Sequence, residues 1–229
     1  RDEAALAMAG VGLVSLAAQH PVDGAKFILF DGTAPGSAES SFLESAAAVI
    51  PHGVRIAKNH DVPEIMNELA EELKRRSADE QAVVNAPPIF LVIQNLQKFK
   101  KLRHEDDFDF SFDESQTVSP GAQFNEIVTE GASHGIHIIA SVDTYNNVNR
   151  FLSRKALSEF EMRVVFQMSA NDSAALVDSP QASTLGLHRA LFYNEHEGYL
   201  ETFRPYALPG NDWIEEAGAA LKRLVGAAE

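Results

Sequence analysis

Gln94 and Asn95 close the run Pro87-Pro88-Ile89-Phe90-Leu91-Val92-Ile93-Gln94-Asn95. Five unbroken apolar residues behind two prolines predict a short strand buried on both faces, as in the middle of a parallel sheet. The loops after the carboxyl ends of such strands form the ligand crevice. Two amides there offer hydrogen bonds and no charge. Asp31, at the end of Lys26-Phe27-Ile28-Leu29-Phe30-Asp31-Gly32, and Asp143, after Ser141-Val142, are the acids at other strand ends. An α/β enzyme of another kind would use them only in a deep crevice lined by both. Asp-Gly after a strand is more often plain turn chemistry. His134 and His137 lie three apart across a helix–strand junction and show no metal-ligand layout. Asp106 to Glu114 is rich in carboxylates but lacks the spacing of a calcium loop, so it reads as solvated or partner-binding. Phe108, Phe110 and Phe112 alternate within it and suit an edge strand or a partner's groove. Lys98, Lys100, Lys101 and Arg103 form a small basic patch, a solvated face by default and a DNA contact as the alternative. Spacing supports no Ser-His-Asp arrangement.

The elements that must position these groups come from a chain of 229 residues with net charge −14. That length suffices for one large α/β domain. The acidic balance argues against broad nucleic-acid binding by this segment alone, though not against a local basic loop. There is no cysteine, which removes disulfides, thiolate metal sites and cysteine nucleophiles and suits an intracellular, cytoplasmic setting. No apolar run approaches the ~20 residues needed to span a bilayer, so no direct membrane contact is expected, although a parent chain could be membrane-anchored. The sequence starts inside a helical pattern without Met, and residue 1 is expected to be a cut in a longer parent. Residues 1–229 read as one domain, a C-terminal fragment of that chain.

In order, Ala4 to Ala18 predicts a helix apolar on most sides and packed on a sheet. Lys26 to Asp31 predicts a strand, Ser37 to Ala48 a helix, and Val54 to Ala57 a strand. A helix capped by Asp61 is expected to run to about Gln81. After the central strand come a short basic helix over Leu96 to Arg103, a surface loop over His104 to Ser119, and a helix over Pro120 to Ser133. Gly135 to Ser141 reads as another buried strand. Two short helices, a strand over Met162 to Gln167 and a helix over Asn171 to Asp178 follow. Ala190 to Tyr193 and Gly198 to Phe203 predict a hairpin around Asn194-Glu195-His196-Glu197, and Asp212 to Val225 a final helix. Alternating strands and helices predict a doubly wound α/β sheet.

The order and wording of these blocks resemble the motor domain of the FtsK/SpoIIIE/HerA group of ring-forming P-loop ATPases. Ile89 to Ile93 falls at the Walker B strand. Gly135-Ile136-His137-Ile138-Ile139-Ala140-Ser141 resembles the family's G-I-H-L-I-L-A-T strand, and Arg163-Val164-Val165-Phe166-Gln167-Met168-Ser169 its R-I-A-F-Q-V-S. Asp172-Ser173, Asp178, Leu185-Gly186 and Ala190-Leu191-Phe192-Tyr193 resemble its tail. The match covers roughly residues 1–205. It implies a RecA-like P-loop NTPase fold: three layers, α/β/α, with a mainly parallel sheet and a C-terminal hairpin.

The same resemblance implies a degenerate nucleotide site. The family's P-loop Lys and Ser/Thr fall at about Ala5 and Leu6. Its Walker B Asp and Glu fall at Gln94 and Asn95, and the Gln that often follows the next strand falls at Val142. Phosphoryl transfer needs a lysine and a hydroxyl around the phosphates and carboxylate-held Mg²⁺, and these positions carry none. The expected reading is a non-catalytic domain of a ring-forming DNA translocase or transport ATPase, with no cofactor. Its partners would be other domains of the same chain and sister subunits in a ring, with DNA or protein as substrate. Arg163 stands where the family has an interface Arg, against the simpler reading of an intramolecular ion pair. The alternative is an active translocase using ATP and Mg²⁺, with its P-loop upstream of residue 1.

Overall fold

The computed structural model describes residues 2–104 and 118–226. The expected acidic loop with Phe108, Phe110 and Phe112 therefore lies, apart from its ends, outside the described residues.

The elements run α1 (Asp2–Ala17), β1 (Lys26–Asp31), α2 (Ala38–Ala48), β2 (Val54–Ala57), α3 (Val62–Ser77), α4 (Glu80–Asn85) and β3 (Ile89–Gln94). Then come α5 (Pro120–Glu130), β4 (Ile136–Ala140), α6 (Tyr145–Phe151), α7 (Arg154–Ser158), β5 (Met162–Val165) and α8 (Ala170–Val177). The hairpin strands β6 (Ala190–Asn194) and β7 (Tyr199–Phe203) and the helix α9 (Asn211–Gly226) end the fold.

Four parallel strands form the main sheet in the order β2-β1-β3-β4. All six residues of β3 are buried, because this strand has neighbours on both edges and helices on both faces. Residues of alternate parity point to opposite faces. Phe27, Leu29, Phe90 and Val92 meet Leu6 and Leu13 of α1, Phe42 and Leu43 of α2, and Ile214 and Leu221 of α9. Ile28, Phe30, Leu91 and Ile93 meet Ile65 and Leu69 of α3 and Phe124 and Ile127 of α5. These two cores make the three layers. β5, β6 and β7 form a second, antiparallel sheet, whose Val165, Leu191 and Tyr193 join the second core.

Several local expectations change. The helix begun at Val62 stops at Ser77, and Asp79, in an extended conformation, caps a new helix through Gln81 N–H. Asp61 precedes α3, but its carboxylate accepts from Lys58 N–H instead of capping the helix. The basic stretch after β3 is two 3-10 turns, Leu96–Lys98 and Lys100–Leu102, separated by Phe99. Buried Leu96, Phe99 and Leu102 recur every three residues, the 3-10 period. β4 is half-buried, not buried: among the described residues it is the last strand of the sheet, and Ile139 stays 44% exposed.

A buried arginine joins α3 to the start of β4. Arg76 is 1% exposed. It donates from Nε to Glu72, from Nη1 to the carbonyls of His134 and Gly135, and from Nη2 to the carbonyl of Pro87. Glu72 is held down at about 2, chiefly by its hydrogen bond from Arg75; burial opposes this and Arg76 adds to it.

Candidate functional site

The carboxyl edge of the main sheet gathers the ends of β1, β3 and β4. Asp31 is the cross-strand partner of Gln94, and both have the parity of the face covered by α1 and α2. α1 leads through a short connection into the amino end of β1, so its own start lies towards this edge. Gly32 N–H donates to the carbonyl of Gln94 at 3.0 Å. A Cβ on Gly32 would stand 2.3 Å from that carbonyl oxygen, so only glycine lets β1 leave the sheet this close to β3.

Gln94 is buried, and its Oε1 has no hydrogen-bond partner among the described residues. Asn95 turns the chain with φ 60° and ψ 61°, a left-handed conformation asparagine tolerates better than most residues. Its N–H donates to Ser141 Oγ at 2.8 Å, and its side-chain amide makes a long 3.4 Å bond to the Gly32 carbonyl. Ser141 N–H donates to the Ile93 carbonyl, and Leu96 N–H donates to the Ser141 carbonyl, both at 2.9 Å. The Gln94 backbone carbonyl, the Asn95 N–H and side chain, and Ser141 thus join the ends of β1, β3 and β4.

Asp31 is the buried charge of the edge. Its Oδ1 accepts from the Thr33 N–H at 2.9 Å and from the Thr33 hydroxyl. Its Oδ2 accepts from Ser40 Oγ at 2.9 Å and from Lys58 Nζ at 2.6 Å. Burial pushes its pKa up, but the bonds from Lys58, Thr33 and Ser40 outweigh burial and hold the carboxyl below its ordinary value. Four donors occupy the roughly four lone-pair sites of a carboxylate. Asp143, after β4, accepts from Thr144 Oγ1 and Asn147 Nδ2 at the start of α6. At the beginning of α1, Leu208 N–H donates to Glu3 at 3.3 Å.

Of the residues singled out in the sequence, Gln94 and Asn95 meet at this edge, with half-buried Val142 just beyond Ser141. Leu6 is buried in the core that includes Val92, and Ala5 is half-buried on α1. Arg163 lies elsewhere, on β5. It donates to the carbonyls of Phe160, Leu176 and Leu157, pairs with Glu195 at 2.6 Å, and stands over the Tyr193 ring. Its guanidinium is engaged within the domain. Sequence reading missed Lys58, Thr33 and Ser40. The Asp31-x-Thr33 spacing is an Asx-turn signal. Lys58 becomes visible only once Phe30 is known to pair with Ala57, which sets the next residues, Asp31 and Lys58, side by side.

No protein-family model matches the chain, and no curated protein matches it. Solved structures do. B204, the DNA-packaging ATPase from Sulfolobus turreted icosahedral virus, superposes with a TM-score of 0.55 at 13% identity, over 90% of this chain and 94% of that one. The genome-packaging NTPase B204 from Sulfolobus turreted icosahedral virus 2, in complex with AMP, gives 0.51 at 14% identity, over 85% and 88%. These likenesses show the fold, and the RecA-like α/β architecture expected from the sequence holds.

Proposed function

We infer that this chain is a non-catalytic P-loop-type domain of the FtsK/SpoIIIE kind. It serves assembly and partner recognition in a larger ring-forming DNA translocase or transport ATPase. The carrying observation is the crevice edge itself. β3 ends in two amides, and the one buried carboxylate beside them, Asp31, already binds Lys58, Thr33 and Ser40. Mg²⁺ bound with a nucleotide asks for one or two free carboxylates or hydroxyls. Here Asp31 has no free acceptor, and Lys58, the cation of the cluster, is bound to it. Glu3 at the start of α1 would repel a phosphate where a helix N-terminus otherwise attracts one. These residues do not fit a magnesium–nucleotide complex. They fit a rigid edge that holds the ends of three strands in place. The partners proposed for this domain are other domains of the same chain and sister subunits in a ring, with DNA or a protein as substrate.

Isothermal calorimetry with Mg²⁺–ATP tests the reading. The expected result is no binding tighter than about 100 μM and no phosphate release. Binding below that value, or turnover, would overturn it in favour of an active DNA-translocating ATPase.

A further inference from the structure

The starts of three parallel strands carry a ladder of rings on the sheet face that α1 covers. Phe27, Phe90 and His137 are the second residues of β1, β3 and β4, and they are cross-strand partners. Ring centroids lie 5.5 Å apart for Phe27 and Phe90 and 5.3 Å apart for Phe90 and His137, with planes 17° and 23° from parallel. Such cross-strand pairs are the units that hold a sheet face together. Two histidines from connecting turns close on the ladder. His20, after α1, tilts onto Phe90 at 5.5 Å, and His52, after α2, meets Phe27 edge-on at 5.3 Å. The two turns are also tied to each other, because His52 Nε2 donates to the His20 carbonyl at 3.0 Å.

The surroundings of His137 suit an uncharged ring. It is half-buried. Arg76 of α3 donates to the carbonyls of His134 and Gly135 just before it, and further bonds to Pro87 and Glu72 pin that guanidinium in place. β3 offers the ring Phe90, and α1 has no charged residue from Ala4 to Ala17. Lys26 of β1 stands on the other face by strand parity. The connection after α1 offers His20. His134 turns its Nδ1 to the Glu130 carbonyl. No carboxylate among the described residues acts on the ring, and burial, Arg76 and His20 hold its pKa below the ordinary value. A proton would gain some attraction to the Phe90 face, but burial beside a fixed guanidinium opposes it. Folding therefore favours the neutral ring. Its contribution is fully present above about pH 6.5 and is lost as pH falls from there through the folded value.

We propose that this ladder is a proton-operated latch: neutral His137 holds the α1–β1 and α2–β2 turns on the amino ends of the strands, and a proton on its ring releases both turns while the sheet itself stays folded. A charged ring needs water around it, and parting His20 from Phe90 lets water in. His20 carries His52 with it through its carbonyl, so the two turns leave together. The latch sits at the end of the sheet opposite the crevice and holds whether or not the crevice takes a nucleotide.

The test is residue-resolved hydrogen exchange on the 229-residue chain at about pH 7.5 and about pH 5.5, corrected for intrinsic rates. The reporting amides are Lys26, which donates to the Pro88 carbonyl, and Gly53, which donates to that of Ile50. Between these two pH values one histidine of ordinary value near 6.5 raises an opening constant at most about tenfold. A rise of about three- to tenfold is expected at Lys26 and Gly53. At both pH values these amides should exchange at least about tenfold faster than those of Leu91 and Val92 in β3, which marks a local opening. His137→Phe keeps a ring in the ladder and takes no proton, so it should abolish the rise. Proton NMR of the unaltered chain gives a reading that needs no variant: the His137 ring should titrate below about 6.5. Titration at or above that value, a rise that persists in His137→Phe, or no rise would overturn the proposal. So would turn amides that exchange at the rate of β3, since the opening would then be unfolding of the whole domain.

Discussion

Replacing Arg76 with methionine tests whether the buried guanidinium, rather than the apolar contacts around it, fixes where β4 begins. Methionine fills a comparable volume, so the cavity contribution is small and the loss is polar. Three carbonyls lose a donor, but that of Gly135 keeps the Ile89 N–H at 2.9 Å. The carbonyls of His134 and Pro87 lose the bonds they receive from Arg76. Each of these acceptors, on half-buried residues, costs up to about 1–3 kcal/mol when its donor is removed. The lost Glu72 pair adds less, because Glu72 is partly solvated. The expected destabilisation is about 3–5 kcal/mol, a large share of the roughly 5–15 kcal/mol that holds a domain together. Arg76→Lys should recover about half of it, since an ammonium reaches one carbonyl cluster and cannot fork across two. Urea denaturation monitored by circular dichroism reads both variants, with an unchanged slope confirming that the unfolded state is the same. A loss below about 1 kcal/mol for Arg76→Met would refute the clamp. The acid limb gives a second reading. Glu72 titrates at about 2 when folded, below its unfolded value, so its contribution is present above about pH 4.5 and fades as pH falls towards 2. Arg76→Met should shrink that fade and leave the larger part due to Arg75.

Two further outcomes follow from the carboxyl edge. Asp31→Asn replaces an acceptor of four hydrogen bonds with a group that turns a donor towards Ser40 or Lys58. It should cost about 3 kcal/mol in urea denaturation. Because the folded pKa of Asp31 is depressed, its contribution exists above about pH 3.9 and disappears as pH falls through the folded value, so the variant's acid limb should be flatter. Gln94→Glu places a carboxyl at a 3% exposed site directly across from the buried carboxylate of Asp31. It should stay protonated well above the usual carboxylate range and lose stability as pH rises towards 7, an effect read by thermal melts across pH.

Element types were legible wherever a local pattern decided them. β3 carries its burial in five consecutive apolar residues, and α5 its inward face in Phe124, Ile127 and Val128. Ser169 caps α8, one of the two caps, Asn171 or Ser169, that the sequence allows. What stayed hidden depends on neighbours. The run Ile136-His137-Ile138-Ile139-Ala140 is apolar enough for a central strand, and only the strand order places it last in the sheet among the described residues. The break between α3 and α4 follows from Asp79, whose preference for capping competes with helix propensity in a stretch rich in good helix formers. The candidate site divides the same way. Gln94 and Asn95 stood out because amides end a buried strand. Lys58 did not, because nothing near it in sequence mentions Asp31. Arg76 was equally silent: among the basic residues at the end of α3 it is the one turned inward, and its three carbonyl partners lie on other segments.

The relation between Gln94 and Lys58 links stability to function. A carboxylate at the end of a central strand is tolerable only with a cation or a metal beside it, since an unpaired buried charge shifts its pKa or destabilises the fold. Among the described residues the cation paired at this edge is Lys58, which Asp31 holds at 2.6 Å. Two adjacent buried carboxylates sharing Lys58 would repel each other. The neutral amide at position 94 is therefore the arrangement that keeps the strand ends together without a bound metal. On this argument, giving the crevice a metal-binding acid requires a coupled change. Gln94→Asp alone should yield a destabilised, protonated carboxyl. Gln94→Asp combined with Asp31→Asn should free Lys58 to pair with the new acid and regain part of the loss. A double-mutant cycle on unfolding free energies reads that coupling directly. Strict additivity of the two substitutions would mean that Lys58 does not decide which strand end carries the charge.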